Sequence, residues 1–185
     1  MLSILRNIDP NRYAPRTYVV SSGDDFSASK ATQFEKMLLS RCTERYSERF
    51  EITIVPRARK IHQPLHTTPL SIFWCLFACL RLLAPTGKGR TMSSSKVLIR
   101  TSPDLIVTNG PATGVIVVLA SLMIRFFGWQ RTGEMRTVYV ESWARVRSLS
   151  LSGKILLWCG FTDRFLVQWE ALKGKRAEWR GFLVE

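Results

Sequence analysis

The sequence predicts an α/β fold in which a parallel sheet is flanked by helices. Three observations point there. Short apolar runs of strand character alternate with longer segments whose apolar residues recur every three or four positions. The loops after those runs are polar and rich in glycine or hydroxyls, which suits ligand sites at the carboxyl edge of an open parallel sheet. One stretch, Val138 to Lys154, shows the whole unit. An apolar run ends in the carboxylate of Glu141, Arg145 and Arg147 follow with a run of hydroxyls, and Gly153 and Lys154 lead into a helix marked by Leu151, Ile155 and Trp158.

From the start, Met1 to Ile8 reads as the body of a helix with Leu2, Leu5 and Ile8 on one face and no cap before it. Tyr18-Val19-Val20 reads as a short strand. Ser21 to Asp25 then supplies the hydroxyls and carboxylates that open helices, and Ala31, Phe34, Leu38 and Cys42 form a helical stripe. Phe50 to Val55 alternates as a strand does, with the basic loop Pro56 to Lys60 behind it. Thr67 to Leu83 reads as an aromatic-rich helix, and residues 86–96 as a mobile Gly/Ser/Lys/Arg linker.

Asp104 to Val107 is a buried-type strand. Asn109 to Gly114 turns into an apolar helix that runs to Phe127. Val138 to Val140, Phe165 to Val167 and Phe182 to Val184 complete the strands. A single domain spanning 1–185 is expected, with a tail at about 175–185.

The net charge of +13 asks for an anionic partner: nucleic acid, acidic phospholipid or a phosphorylated substrate. The cysteines (Cys42, Cys75, Cys79 and Cys159) form no Cys-x-x-Cys pair, the front lacks a secretory apolar core, and no Asn-x-Ser/Thr sequon occurs. A reducing, cytosol-facing compartment is favoured. No segment has the roughly 20 apolar residues needed to span a bilayer. Leu70 to Ala84 comes nearest but carries Arg81, and Val115 to Ile124 stops at Arg125. Each suits a core helix, the commoner case, or an interfacial one.

Two loops, Thr108 to Gly114 and Glu141 to Gly153, both follow strands and precede helices, so they belong on one sheet edge. Asn109 offers an amide, and Gly110 and Gly114 allow close backbone approach to a ligand; Asn-Gly-Pro is also an ordinary turn. Glu141 suits a sugar hydroxyl, and equally an ion pair with Arg145 or Arg147. Arg57, Arg59, Lys60, Arg145, Arg147 and Lys154 suit a diphosphate, or form a solvated face. Gly87 to Thr91 has the wrong glycine spacing for a phosphate loop. His62, His66, Cys75 and Cys79 fit burial better than zinc, because Pro64 interrupts the histidines and both cysteines lie in an apolar helix.

Several segments together resemble the asparagine-linked glycosylation protein 14 family. They are Ile54-Val55-Pro56-Arg57-Ala58-Arg59, Pro103 to Thr113, Val138-Tyr139-Val140-Glu141-Ser142 with Arg145-Val146 and Ser148 to Lys154, and Asp163 to Trp169; Asp24, Ser27 and Lys30 are similar too. The resemblance runs over nearly the whole chain. It implies a Rossmann-like domain, half of a GT-B glycosyltransferase fold. It implies an accessory subunit, inactive alone, that recruits a catalytic subunit, asparagine-linked glycosylation protein 13, to the cytosolic face of the endoplasmic reticulum membrane. The pair adds N-acetylglucosamine from UDP-N-acetylglucosamine to dolichyl-diphospho-N-acetylglucosamine, with no cofactor or metal and no nucleic-acid partner expected.

On this reading Asn109, Gly110, Thr113, Glu141 and Ser142 contact the acceptor. Arg57, Arg59, Arg145, Arg147 and Lys154 clamp the diphosphate, and Phe182, Leu183 and Val184 dock on the catalytic subunit. The residue that acts as catalytic base is not assigned. Family members begin with a membrane-spanning helix, a strand and a Gly-Gly-His-Thr turn. Met1-Leu2 aligns beyond all three, so a truncated form or an incomplete gene model is expected. The alternatives are a scaffold without an acceptor site, a bacterial-type polysaccharide glycosyltransferase subunit, and a basic RNA-binding protein. The placement of most aromatics in helices counts against the last.

Overall fold

The computed structural model describes residues 2–41, 50–58, 68–84, 90–92, 95–99, 102–110, 112–129 and 134–181. Parallel sheets flanked by helices give the Rossmann-like α/β arrangement that the sequence predicts, consistent with half of a GT-B fold. The chain divides into two compact units, Leu2–Pro56 with Thr86–Arg100, and Arg57–Pro85 with Thr101–Glu185.

The first unit pairs β1 (Arg16–Ser21) in parallel with β2 (Phe50–Val55), from Arg16 opposite Phe50 to Ser21 opposite Val55. Helix α1 (Asp25–Arg41) lies between them in the chain and buries Ala31, Phe34 and Leu38 of the predicted stripe, whose fourth member, Cys42, lies outside the described residues, while Val20 and Val55 are buried on the strands. Asp24 opens α1: its carboxylate accepts from Ser27 N at 3.1 Å and from Ser27 Oγ at 2.7 Å. Glu35, on the same helix, is buried against Arg16, with bonds of 2.8 and 2.9 Å from Nε and a terminal guanidinium nitrogen. Tyr18 donates to the same carboxylate at 2.6 Å. Burial, and then the bond to Glu35, raise the Tyr18 phenol far above its ordinary value.

Two predictions differ here. Residues 2–8 form turns and not a helix, closed by i to i−3 bonds such as Leu5 N to Leu2 O and Ile8 N to Leu5 O. Pro10 disfavours helical backbone at Asp9, whose carboxylate instead accepts from Asn11 N at 2.9 Å. In the segment read as a linker, β3 (Arg90–Met92) and β4 (Ser95–Ile99) pair antiparallel; residues 86–89 lie outside the described residues.

The second unit contains a four-stranded, wholly parallel sheet in the order β5 (Leu105–Asn109), β6 (Arg136–Val140), β7 (Arg164–Val167), β8 (Ala177–Trp179). Helix α3 (Ala112–Phe126) connects β5 to β6, and α4 (Leu151–Cys159) connects β6 to β7. Right-handed crossovers stepping the same way place both helices on one sheet face. The core there joins Val118 and Leu156 from the helices to Tyr139, Phe165, Val167 and Ala177, with Tyr139 and Phe165 stacked at 5.0 Å. A 3-10 turn (Glu170–Leu172) leads to β8, a strand absent from the sequence reading because three residues, Ala-Glu-Trp, are too short a run to signal a strand. The strand predicted at 182–184 lies outside the described residues. Helix α2 (Thr68–Leu83) packs along α3, and Ser71 Oγ donates to Ala58 O at 2.9 Å.

Candidate functional site at the carboxyl edge of the four-stranded sheet

The parallel register decides which loops meet. Asn109 pairs with Val140 and Val140 with Leu166, so the segments beginning at Gly110, Glu141 and Gln168 leave the sheet side by side. Both loops singled out in the sequence are therefore at one edge. Tyr139 ties them together. Its phenol donates to Gly110 O at 3.2 Å and lies 3.4 Å from Ser150 Oγ. Burial raises the Tyr139 phenol above its ordinary value, and the nearby Glu141 carboxylate adds to this, against the bonds to Ser150 and Gly110. It remains a neutral donor, as the bridge requires.

Glu141 is 1 % exposed, and its carboxylate is turned into its own loop. One oxygen accepts from Ser142 N at 2.9 Å; the other accepts from Ser150 N at 3.1 Å and Ser150 Oγ at 3.0 Å. Ser150 in turn caps α4, its hydroxyl accepting from Gly153 N at 2.9 Å. The expected alternative, an ion pair to Arg145 or Arg147, does not form among the described residues: both arginines are exposed, and Glu141 is held by the serines. The carboxylate that complements the start of α4 thus comes from the chain itself.

Two glycines make these approaches possible. A Cβ at Gly153 would lie 2.2 Å from Glu141 Oε2 and 3.2 Å from the Phe165 ring, and one at Gly114 would lie 2.4 Å from Thr108 Oγ1. Thr108 Oγ1 is buried beside the first turn of α3 and has no hydrogen-bond partner.

Asn109 and Gly110 sit at the end of β5, half-buried, with Thr113 in the first turn of α3. The first N–H groups of a helix have no acceptor within it, so that turn is suited to an anion or a sugar hydroxyl. Ser142 is half-buried next to Glu141. Arg145, Arg147 and Lys154 are all exposed, two on the Glu141 loop and one on α4. Arg57 is half-buried in the same unit, whereas Arg59, Phe182, Leu183 and Val184 lie outside the described residues.

The sequence reading passed over Tyr139, taken only as strand, and the pair Trp143 and Trp169. The two indoles lie 4.8 Å apart, and Trp169 Nε1 donates to Trp143 O at 2.9 Å, fastening the Glu141 loop to the end of β7. An exposed tryptophan just after a strand was the available signal. His62 and His66 lie outside the described residues; Cys75 and Cys79 are fully buried in α2.

A Rossmann-like sheet with its polar loops gathered at one edge defines the class: an α/β domain consistent with half of a GT-B fold. The chain matches the family described as "Oligosaccharide biosynthesis protein Alg14 like" over residues 1–183, and it belongs to that family. It is 40% identical to the "UDP-N-acetylglucosamine transferase subunit alg14" of Aspergillus fumigatus, over 98% of this chain and 95% of that protein. It is 40% identical to the protein of the same name from Schizosaccharomyces pombe, over 100% of this chain and 77% of the other. The human "UDP-N-acetylglucosamine transferase subunit ALG14" is 34% identical over 89% of this chain and 67% of its own length. No solved structure matches.

Proposed function

We propose that this chain is the accessory subunit of a two-component UDP-N-acetylglucosamine transferase acting in N-glycan precursor synthesis. The names of its relatives support the transferase and its sugar donor. The family description supports oligosaccharide assembly. In the proposed reaction a hydroxyl of dolichyl-diphospho-N-acetylglucosamine attacks the anomeric carbon of the donor sugar. The new glycosidic bond forms, UDP leaves, and the hydroxyl proton passes to a base. The catalytic subunit, asparagine-linked glycosylation protein 13, carries the donor, and this chain brings it to the cytosolic face of the endoplasmic reticulum membrane. Tethering raises the local concentration of a water-soluble donor subunit at a lipid-borne acceptor.

The observation that carries the acceptor role is the Tyr139 bridge, which joins the Asn109 and Glu141 loops at one edge. Asn109, Gly110, Thr113 and Ser142 hold the acceptor there. Glu141 is a positioning residue, organising the loop through Ser142 and Ser150. Arg145, Arg147 and Lys154 clamp the diphosphate, with Arg57 and Arg59 as further cations. Phe182, Leu183 and Val184 dock on the catalytic subunit.

The test is reconstituted transfer with the catalytic subunit, using Asn109→Ala and Glu141→Ala. Both are expected to reduce transfer at least about tenfold, the scale on which misplaced site groups act, while the two subunits still co-purify. Full transfer by both variants would leave only the scaffold role, as would complete rescue by anchoring the catalytic subunit to the membrane artificially.

A further inference from the structure

Helix α4 buries Gly153 and Leu156 on its inner side, so its outer side would ordinarily be polar. It is not. Leu151, Ile155 and Trp158, spaced by four and three, share the outer face and are exposed by 76%, 43% and 87%. Lys154, the one charged side chain of the helix, flanks that face on one side. Cys159, four positions beyond Ile155, is exposed on the other. The loop that leads into α4 adds two more exposed apolar side chains, Trp143 and Val146. Single exposed apolar residues are ordinary. Three on one face of a short helix, one of them an almost wholly exposed indole, mark a surface that a partner covers.

Position says which partner. Helix α4 begins at the carboxyl edge of the sheet, where its cap Ser150 is bonded to Glu141, so Leu151 stands at the border of the candidate site. Transfer requires the attacking oxygen and the donor carbon to come within about 3–3.5 Å of each other. A subunit that carries the donor must therefore close over this edge and rest on what borders it. Charge says what that subunit presents. Between Glu141 and Asp163 the sequence has no acidic residue, against Arg145, Arg147 and Lys154. All three cations are exposed, whereas Glu141 is buried. An apolar centre with a cationic border is complementary to an apolar groove bordered by carboxylates. Tryptophan and arginine are also the side chains that most often carry the affinity of an interface.

We infer that the outer face of α4, built on Leu151, Ile155 and Trp158, docks the donor-carrying subunit, which meets it with an apolar groove bordered by carboxylates. The inference rests on the functional reading above and goes beyond it, adding a second contact surface to the C-terminal residues proposed there.

The test titrates the 185-residue chain with the catalytic subunit. L151Q/W158Q is expected to bind at least about tenfold more weakly, since the loss of one central interface tryptophan is commonly worth that much. Its circular dichroism spectrum should be unchanged, because both side chains are exposed. Transfer by the variant should return toward the parent level when the catalytic subunit is added in excess, as a docking defect requires and a damaged site does not. Affinity of the parent pair should fall as salt rises. A second readout needs no substitution. Cys159 on the unaltered chain should react with N-ethylmaleimide at least about tenfold more slowly once the catalytic subunit is bound, because thiol reactivity depends on access.

Parent-level affinity in L151Q/W158Q overturns the inference, as does unslowed reaction of Cys159 in the complex. Self-association of the chain alone, or binding to phospholipid vesicles, that the variant loses while keeping its affinity for the catalytic subunit would assign the face to a second copy or to lipid and overturn it too. Association through α4 by a pair that transfers no sugar would remove the functional reading and leave the docking face standing. A parent chain that does not bind the catalytic subunit at all overturns both.

Discussion

Gly153 on α4 lies against the Glu141 carboxylate so closely that a single added carbon would come within 2.2 Å of Oε2. That carboxylate has little freedom to retreat. It is buried and accepts three hydrogen bonds from Ser142 and Ser150, and the Phe165 ring stands 3.2 Å from the same added carbon. Glycine here joins helix, loop and carboxylate into one unit.

Gly153→Ala is therefore expected to displace the Glu141 loop or the start of α4. The cost is about 1–3 kcal/mol, the range for overpacking, read as a lower urea midpoint. If Glu141 acts by positioning its loop, transfer with the catalytic subunit falls as well, and Glu141→Gln, which keeps the shape, loses less than Glu141→Ala. Equal losses in the Gln and Ala variants, with Gly153→Ala unaffected, would contradict the arrangement.

The buried pair Arg16 and Glu35 makes a second, independent prediction. The guanidinium also donates to Pro10 O at 2.7 Å and Tyr13 O at 3.1 Å, and Tyr18 shares the carboxylate. Removing one member leaves an uncompensated charge in the core. Glu35→Ala is expected to destabilise by about 3–5 kcal/mol. The double variant Arg16→Met/Glu35→Leu should recover most of that, because two apolar side chains replace the pair without stranding a charge. Chemical denaturation of the parent and both variants decides it, and a double variant as unstable as Glu35→Ala would count against the argument.

Much of the sheet and the placement of both loops could be read in advance, for a physical reason. Phe50 to Val55 alternates, α3 and α4 begin after polar loops, and burial periodicity is local in sequence. Once strands are parallel, loops that follow them must share an edge, so Asn109 and Glu141 were placed together by topology. What sequence could not give was the direction of a side chain. Glu141 looked like a group facing ligand, yet its carboxylate folds back onto Ser150, since a loop carboxylate near a helix start finds donors closer than any substrate. Tyr139 was legible as a strand residue and not as a bridge, because its partners Gly110 and Ser150 lie 29 and 11 positions away. Residues 2–8 show that apolar spacing alone does not make a helix: Pro10 disfavours helical backbone at Asp9, and turns form instead.

Thr108 makes a third prediction. Its hydroxyl is buried next to Gly114 with no partner, and a buried unpaired hydroxyl costs stability. Thr108→Val keeps the shape and removes the polar atom. The variant is expected to be as stable as the parent or up to about 1 kcal/mol more stable, seen as a higher melting temperature. A clear loss of stability would show that the hydroxyl is paired in solution.

Asp163 makes the last prediction, at the opposite edge of the sheet from the candidate site. It precedes β7, and its carboxylate accepts from Thr137 N at 2.7 Å, from Thr137 Oγ1 at 2.9 Å and from both terminal nitrogens of Arg125 at 2.9 and 3.3 Å. Partial burial favours the neutral acid, but the bonds from Thr137 and Arg125 outweigh it and hold the carboxyl below its ordinary value. A folded-state value below the unfolded one means that the unfolded chain binds the proton first. The stabilisation is then complete above the ordinary carboxylate range and is lost as pH falls through the lower folded-state value. Asp163→Asn is expected to cost about 1 kcal/mol at neutral pH, a figure reduced for the solvent exposure of the pair. The gap between parent and variant should close on acidification below the ordinary carboxylate range, and thermal melts of both proteins from neutral to strongly acidic pH measure it. A gap that widens with acid, or does not change, would mean that Asp163 does not hold Thr137 and Arg125 as an ionised group.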